Sequence, residues 1–201
     1  QGLFHYVYFH MIPSPGRVFK EVSKLVGGQV LTYADGWAGV ARYWQPRFSE
    51  ANTSMKNLKE ELLDVIEGSV GRYSGVANTG AFLSGGLDSS TVAGMMSRTC
   101  EGPVRTFSIG FPEEAYNELD YARIVSEHFG THQREYIMSP DDALEAIPRI
   151  AQYYGEPFGN SSALPAYFCA KVAKEDGVDL MVAGDGGDEL FAGNSRYLSQ
   201  Q

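Results

Sequence analysis

The sequence predicts an α/β fold, a parallel sheet flanked by helices, preceded by a short β-rich segment. Three observations carry this expectation. From Met55 onward, short apolar runs alternate with stretches of helical periodicity in repeated β-α-β order. Two of the strand-like runs lead directly into glycine-rich loops, 84–89 and 184–188, each followed by helix-like sequence. Residues 1–48 have a different texture, with aromatic-rich β-like runs and no such alternation. Repeated β-α-β units place helices on both faces of a parallel sheet, and ligands of such sheets bind beyond the carboxyl ends of the strands. The two glycine-rich loops are therefore expected to open on the same edge.

In chain order, residues 3–10 read as a first β-like run, rich in aromatics. The turn Pro13-Ser14-Pro15-Gly16 follows, then a second run, Val30-Leu31-Thr32-Tyr33, and a third short strand over 40–44. A segment this small is too short for a good core of its own. The polar stretch 49–54 reads as a linker, and Asn52, Thr53 and Ser54 are N-cap candidates for a helix whose Met55, Leu58, Leu62, Val65 and Ile66 share one face. Strands are expected over 81–83, 104–110, 133–138 and 178–183. Helices are expected over 88–98, 117–129 (ended by Gly130), 141–154 (with Pro140 near its start), 164–176, and briefly after the second loop.

Composition narrows the function classes. The chain of 201 residues is 43% hydrophobic and 20% charged, enough apolar content for a real core. Its formal charge of -9 makes it a poor general binder of nucleic acid, which requires clustered Lys and Arg. No apolar run approaches the roughly 20 residues that span a bilayer, so no membrane partner is expected. Cys100 and Cys169 are too few and too isolated for a disulfide framework or a zinc site, and read as reduced thiols of a cytoplasmic protein. The start at Gln1 rather than Met is read as the mark of a piece of a longer protein.

The first loop, Ser84-Gly85-Gly86-Leu87-Asp88-Ser89-Ser90, joins a strand to a helix. Paired glycines let the backbone approach a phosphate closely, and the helix start supplies unpaired N–H groups suited to an anion. Ser84, Ser89 and Ser90 add hydroxyl donors. The Gly-Lys-Ser/Thr ending of a Walker A loop is missing. Asp88 makes chemical sense beside phosphates if Mg²⁺ lies between them. The plainer alternative is a glycine turn with Asp and Ser capping a helix. The second loop, Ala183-Gly184-Asp185-Gly186-Gly187-Asp188-Glu189, crowds three carboxylates. Read functionally, Asp188 is a second Mg²⁺ ligand and Asp185 faces the reacting groups. Read plainly, it is a solvated acidic turn with Asp188 capping the last helix.

The loop Ser84–Ser90, with Thr106-Phe107-Ser108-Ile109-Gly110-Phe111, Asn117-Glu118-Leu119-Asp120-Tyr121-Ala122 and the segment 184–193, resembles the synthetase domain of the asparagine synthase (glutamine-hydrolysing) family, over residues 54–201. That domain belongs to the PP-loop ATP-pyrophosphatases, with an adenine nucleotide alpha hydrolase-like fold. Residues 1–48, with Phe9-His10-Met11-Ile12-Pro13-Ser14-Pro15 and Tyr43-Trp44-Gln45-Pro46, resemble the tail of the family's glutaminase domain. The resemblance implies that ATP adenylates a carboxylate, aspartate in the family, and that ammonia from glutamine then attacks to form an amide. It implies that the backbone of Leu83 and Ile109 surrounds the nucleoside, that Ser84, Gly85, Gly86, Asp88, Ser89 and Ser90 hold pyrophosphate, and that Ala183 and Gly184 line the adenylate. Ser108 falls in the same ATP-binding set, and Asp88 and Asp188 would share Mg²⁺, with Asp185 catalytic beside them. The domain that releases ammonia is expected to lie outside this chain, the full-length protein to be a homodimer, and the synthetase domain to continue past Gln201, so residues 1–201 alone are expected to be inactive.

Three positions depart from the family pattern. Asp185 stands where asparagine-forming members carry Glu, Asn160 in Glu156-Pro157-Phe158-Gly159-Asn160-Ser161-Ser162 stands where Asp is common, near a plausible acceptor pocket, and Gln133 stands where His is common. Gln133 reads as structural. Two alternatives stay open: a relative adenylating another carboxylate, such as a β-lactam-forming synthetase or an amidotransferase acting on a cell-surface sugar, and a nucleotide-binding module that has lost catalysis. Arg196 reads as a helix-surface residue, and Gly184-Asp185-Gly186-Gly187-Asp188-Glu189 with Asn194 resembles family members whose acceptor is open. His128 and His132 are separated by Gly130 and do not make a metal face. Tyr153-Tyr154 and Tyr167-Phe168 read as packing aromatics.

Overall fold

A computed structural model describes residues 1–50, 53–76 and 78–193. The chain divides into two compact units, Gln1–Thr53 with Ile147–Ser162, and Ser54–Ala146 with Ala163–Gln201.

The first unit contains helix α1 (Gly2–Phe9) and a hairpin of β1 (Gln29–Ala34) and β2 (Trp37–Arg42). The antiparallel pairing runs from Gln29 opposite Arg42 to Ala34 opposite Trp37. The second and third β-like runs are therefore strands, but the first is a helix. A short aromatic run has β propensity and no decisive periodicity, so neighbours settle it. Here Phe4 stacks on Tyr8 with ring centroids 6.4 Å apart, His5 meets Phe9 at 6.1 Å, and the His5 N–H donates to the Gln1 carbonyl at 3.0 Å. These are one-turn contacts that only a helix provides. His10, at φ 57, ends it in the left-handed region. The expected turn at Pro13 is present, with the Gly16 N–H donating to the Pro13 carbonyl at 2.8 Å.

Glu156 knits this unit together. Its carboxylate pairs with the Lys24 ammonium at 2.6 Å and accepts from the Val18 N–H at 3.2 Å. Hydrogen bonding to Lys24 holds its pKa below the ordinary glutamate value. The Gly159 N–H donates to the His10 carbonyl at 2.7 Å. Asn160 turns back on its own loop and accepts from the Ser162 N–H at 3.0 Å.

The second unit is the expected α/β body. Helix α2 (Met55–Ser74) opens on Ser54, whose hydroxyl accepts from the Asn57 N–H at 3.2 Å, an N-cap bond. Asn52 lies outside the described residues. Then come β3 (Thr79–Phe82), α3 (Leu87–Thr99), β4 (Arg105–Gly110), a 3₁₀ turn (Glu114–Tyr116) and α4 (Leu119–Phe129). β5 (His132–Ile137), α5 (Pro140–Tyr153, of which the residues from Ile147 on fall in the first unit), α6 (Ala163–Glu175), β6 (Leu180–Val182) and α7 (Gly187–Phe191) complete the order. The four strands form one parallel sheet in the order β5-β4-β3-β6.

Alternation along the strands divides the core between two faces, as period-two geometry requires. Ala81 packs with Val70, Val92, Met95, Met96 and Val104 under α2 and α3, and Leu83 with Ala93 and Ala122 under α3 and α4. On the opposite face Phe107, with Phe82 and Ile109 beside it, packs against Cys169, Val172 and Ala173 of α6. Burial pushes the Cys169 thiol up to about 12, and its hydrogen bond to the Phe107 carbonyl, at 3.2 Å, keeps it structural. Phe168 is buried and stacks on Tyr136, whereas Tyr153 is exposed, so only the former is a core aromatic.

α5 begins at Pro140 with a reciprocal cap. The Ser139 N–H donates to Asp142 at 2.9 Å while the Asp142 N–H donates to the Ser139 hydroxyl at 3.2 Å. The backbone and hydroxyl of Ser139 hold the Asp142 carboxyl below its usual range. A depressed carboxyl stabilises the fold above its unfolded pKa, roughly 3.9, and that stabilisation is lost as pH falls through the folded value. Asp142→Asn is expected to lower the urea midpoint at neutral pH, with the difference from wild type closing below roughly pH 4. In the core, Phe107→Ala is expected to cost about 3–5 kcal/mol in equilibrium unfolding, because Phe107 is fully buried between two strands and a helix.

Candidate active site

The strand order places a crevice where the topology reverses. From β3 the chain passes to β4 on one side, and later returns to β6 on the other, pairing Ala81 with Val182 in parallel. The edge beyond the carboxyl ends of β3 and β6 is the switch point at which such sheets bind ligands. Both glycine-rich loops start there, as the sequence predicts.

In the first loop the hydroxyls are interlinked. The Ser84 N–H donates to the Ser89 hydroxyl at 3.2 Å, the two hydroxyls lie 3.0 Å apart, and the Gly86 N–H donates to the Ser84 hydroxyl at 3.3 Å. Gly86 is the N-cap residue of α3 and no side chain caps that helix. The plain capping reading of Asp88 thus does not hold, and the α3 amino end stays available to an anion. Gly85 is required twice over. Its φ is +86, and a Cβ there would come within 2.6 Å of the Ala122 backbone nitrogen and 2.5 Å of the Tyr121 Cβ. The start of α4 therefore presses directly on the loop. The Ser90 hydroxyl oxygen is buried with no hydrogen-bond partner among the described residues.

The second loop lies against Asp88. A Cβ on Gly187 would fall 2.5 Å from the Asp88 carboxyl carbon, and one on Gly184 would fall 2.7 Å from the Asp88 Cβ. The two loops share one contact surface that bare backbone alone permits. Asp188 is half-buried in the first turn of α7 and Asp185 is exposed. The N-cap of α7 is Gly186 and carries no side-chain cap, so Asp188 does not cap it either. Asn194 and Arg196 lie outside the described residues.

Leu83 and Ser108 meet at the root of the first loop. The Leu83 N–H donates to the Phe107 carbonyl at 2.9 Å, and the buried Ser108 hydroxyl donates to the Leu83 carbonyl at 2.6 Å. Ser108 thus spends its side chain inside the protein, and Ile109, next to it, is half-buried at the end of β4. Gln133 is the residue whose part sequence reasoning missed: its amide donates to the Ser108 hydroxyl at 2.9 Å. Ala183 and Gly184, half-buried, follow β6 directly.

The donor set fits Mg²⁺ held together with phosphates. Among the described residues no three His, Cys, Asp or Glu side chains converge as a preformed cage. Mg²⁺ is commonly held by one or two carboxylates plus substrate phosphates and water. Asp88, lying on the backbone of Gly187, and Asp188, the next residue, supply two carboxylates at this edge. The serine hydroxyls and the α3 amino end supply neutral donors for the phosphates. No helix among the described residues is long and apolar enough to cross a membrane, and Cys100 and Cys169 are free thiols.

The family model described as asparagine synthase matches residues 61–201. The chain is 30% identical over 199 residues to the glutamine-hydrolyzing asparagine synthetase 1 of Bacillus subtilis, covering 98% of this chain and 31% of that protein. It is 36% identical over 199 residues to a Methanocaldococcus jannaschii protein whose name places it among the same synthetases, covering 96% of this chain and 38% of that one. The chain thus spans about a third of the length of these curated relatives. Among solved structures it is similar to an NH3-dependent NAD synthetase from Campylobacter jejuni, at 16% identity and a TM-score of 0.44, covering 72% of this chain and 63% of that one.

The loop geometry separates two neighbouring glycines. Gly85→Ala is expected to cost about 1–2 kcal/mol or more through its left-handed backbone alone, before the clash with α4. Gly86→Ala, at φ -69 with only the Ser84 hydroxyl 3.4 Å away, is expected to cost far less. Denaturant midpoints of the two variants measure the difference.

Proposed function

This chain belongs to the asparagine synthase family, and from that premise we propose that it forms the ATP-pyrophosphatase part of a ligase that makes an amide. A carboxylate oxygen of the acceptor attacks the α-phosphorus of ATP, the bond to the β-phosphate breaks, and pyrophosphate leaves. Ammonia then attacks the acyl carbon of the adenylate, AMP departs, and a proton is lost from nitrogen. The observation that carries this reading is the contact of Asp88 with Gly184 and Gly187, which joins the two loops at the switch point of the sheet.

Each group has a task. The α3 amino end and the hydroxyls of Ser84, Ser89 and Ser90 bind the phosphates, with Gly85 and Gly86 allowing close approach. Leu83 and Ile109 offer backbone to the nucleoside, and Ala183 and Gly184 line the adenylate. Asp88 and Asp188 would hold Mg²⁺, whose charge, when bound, stabilises the departing pyrophosphate. Asp185, exposed on the same loop, faces the acceptor. Asparate-derived asparagine is the family product, and aspartate is the acceptor we favour. Asp185 in place of Glu supports a second reading, in which another carboxylate is adenylated, because the carboxylate is one methylene shorter and reaction geometry is sensitive to about 1 Å.

Residues 1–48 we read as the tail of an ammonia-releasing glutaminase domain. Support comes from their surface: Phe4, Tyr8, Tyr33 and Trp37 are all at least 65% exposed, apolar area that a larger domain would cover. The free thiols support a reducing, cytoplasmic setting.

Pyrophosphate exchange into ATP by the full-length protein tests the reading. Exchange should require a carboxylic acid, and Asp88→Asn or Asp188→Asn should lower it by roughly a hundredfold or more. Exchange with aspartate alone would remove the second acceptor reading, and no acid-dependent exchange with any candidate would overturn adenylation. Residues 1–201 by themselves are expected to show little turnover.

A further inference from the structure

At the root of the phosphate loop, the peptide between Leu83 and Ser84 is held from both sides. Its carbonyl accepts from the Ser108 hydroxyl at 2.6 Å, and its N–H donates to the Ser89 hydroxyl at 3.2 Å. The last backbone bond to β4 is the Leu83 N–H to the Phe107 carbonyl, so a side chain takes over at the Leu83 carbonyl. Ser108 is 2% exposed and Leu83 is 1% exposed, so water does not substitute for a lost partner there.

Ser108 has one proton and two lone pairs. Its proton is committed to Leu83, and the Gln133 amide fills an acceptor position at 2.9 Å. A donor at Gln133 therefore permits only one arrangement: the hydroxyl must point its hydrogen at Leu83. An acceptor at the same place would compete for that hydrogen and turn the hydroxyl around. We infer that Gln133 is a positioning residue for ATP binding, acting through Ser108 to fix the direction of the Leu83 carbonyl and with it the entry into the loop Ser84–Ser90. The relay crosses three strands, from β5 through β4 to the end of β3. This inference rests on the ATP-dependent reading of the loop.

The relay makes a prediction that depends on hydrogen-bond polarity and not on size. Gln133→Glu is nearly isosteric but presents an ionised, acceptor-only group. Gln133→Leu removes the bond altogether. Gln133→His restores an N–H donor. In the full-length protein, pyrophosphate exchange is measured as a function of ATP and of the acceptor acid, alongside thermal melting. The expected result for Gln133→Glu is a KM for ATP raised about tenfold, the scale of one misdirected buried hydrogen bond, with the KM for the acceptor unchanged. Gln133→Leu should lie between it and wild type, and Gln133→His should return the ATP KM to within about twofold of wild type. If Gln133→Glu keeps the wild-type KM for ATP, or if all three variants lose kcat in step with their melting temperatures, the relay is overturned and Gln133 only packs. Absence of exchange in the wild-type protein would instead overturn the ATP-dependent reading, so the two failures are distinguished by the wild-type control.

Discussion

The site depends on β3 being paired on both sides. Because Ala81 is hydrogen-bonded in register with Thr106 of β4 and Val182 of β6, the strand cannot shift, and the chain must leave its end by a sharp turn between two neighbours. Gly85 makes that turn at φ +86 with α4 pressing on it, and the second loop brings Gly184 and Gly187 against Asp88. Gly85, Gly184 and Gly187 follow from this crowding. So does the position of Asp88, which lies against Gly184 and Gly187. A rigid edge of this kind presents backbone donors and carboxylates in fixed places, which is what binding a polyphosphate with its counter-ion requires.

The core serves the same end by dividing its labour. One face of the sheet has an apolar centre, with Phe107, Phe82 and Ile109 set against α6, and Arg105 at its margin bound to Asp176. The other is mixed: Ala81 and Leu83 pack under α2, α3 and α4, while Thr106, Ser108 and Gln133 form hydrogen bonds along it. Thr106 and Ser126 both meet the Thr131 hydroxyl, at 2.9 and 2.7 Å, and Ser108 meets Leu83. Hydroxyls on a buried face cost free energy unless each is paired, and here they are linked in short chains. Their directional bonds orient the strand ends in a way that dispersion contacts alone do not.

The family relationship and the local chemistry bear on different questions. Family membership points to the class of reaction, while the acceptor depends on residues in which this chain differs. Asp185 is exposed on the second loop, so its shorter side chain changes reach without changing charge. Asn160 turns back to the Ser162 N–H, a local bond that an aspartate at that place could also make. The N-terminal unit, with Glu156 bound to Lys24 and Val18, shows that the loop 156–160 is built together with the leading segment and not with the sheet.

The sequence alone determined the parallel α/β order, the two loops and the edge they share, because alternating period and paired glycines are local signals that survive without tertiary context. It also marked Ser54 as a cap and Gly130 as a helix end, since both act within one turn of chain. The tertiary structure decided the rest. Residues 2–9 became a helix because aromatic spacing one turn apart outweighed β propensity. The capping alternative for Asp88 and Asp188 fell because glycine occupies both N-cap positions and neither carboxylate caps the helix it precedes or enters. The parts of Ser108 and Gln133 depend on partners 25 residues away in sequence, which no local pattern encodes. Long-range register, set by strand pairing and burial, is what joined polar residues of two neighbouring strands into a relay beneath the loop.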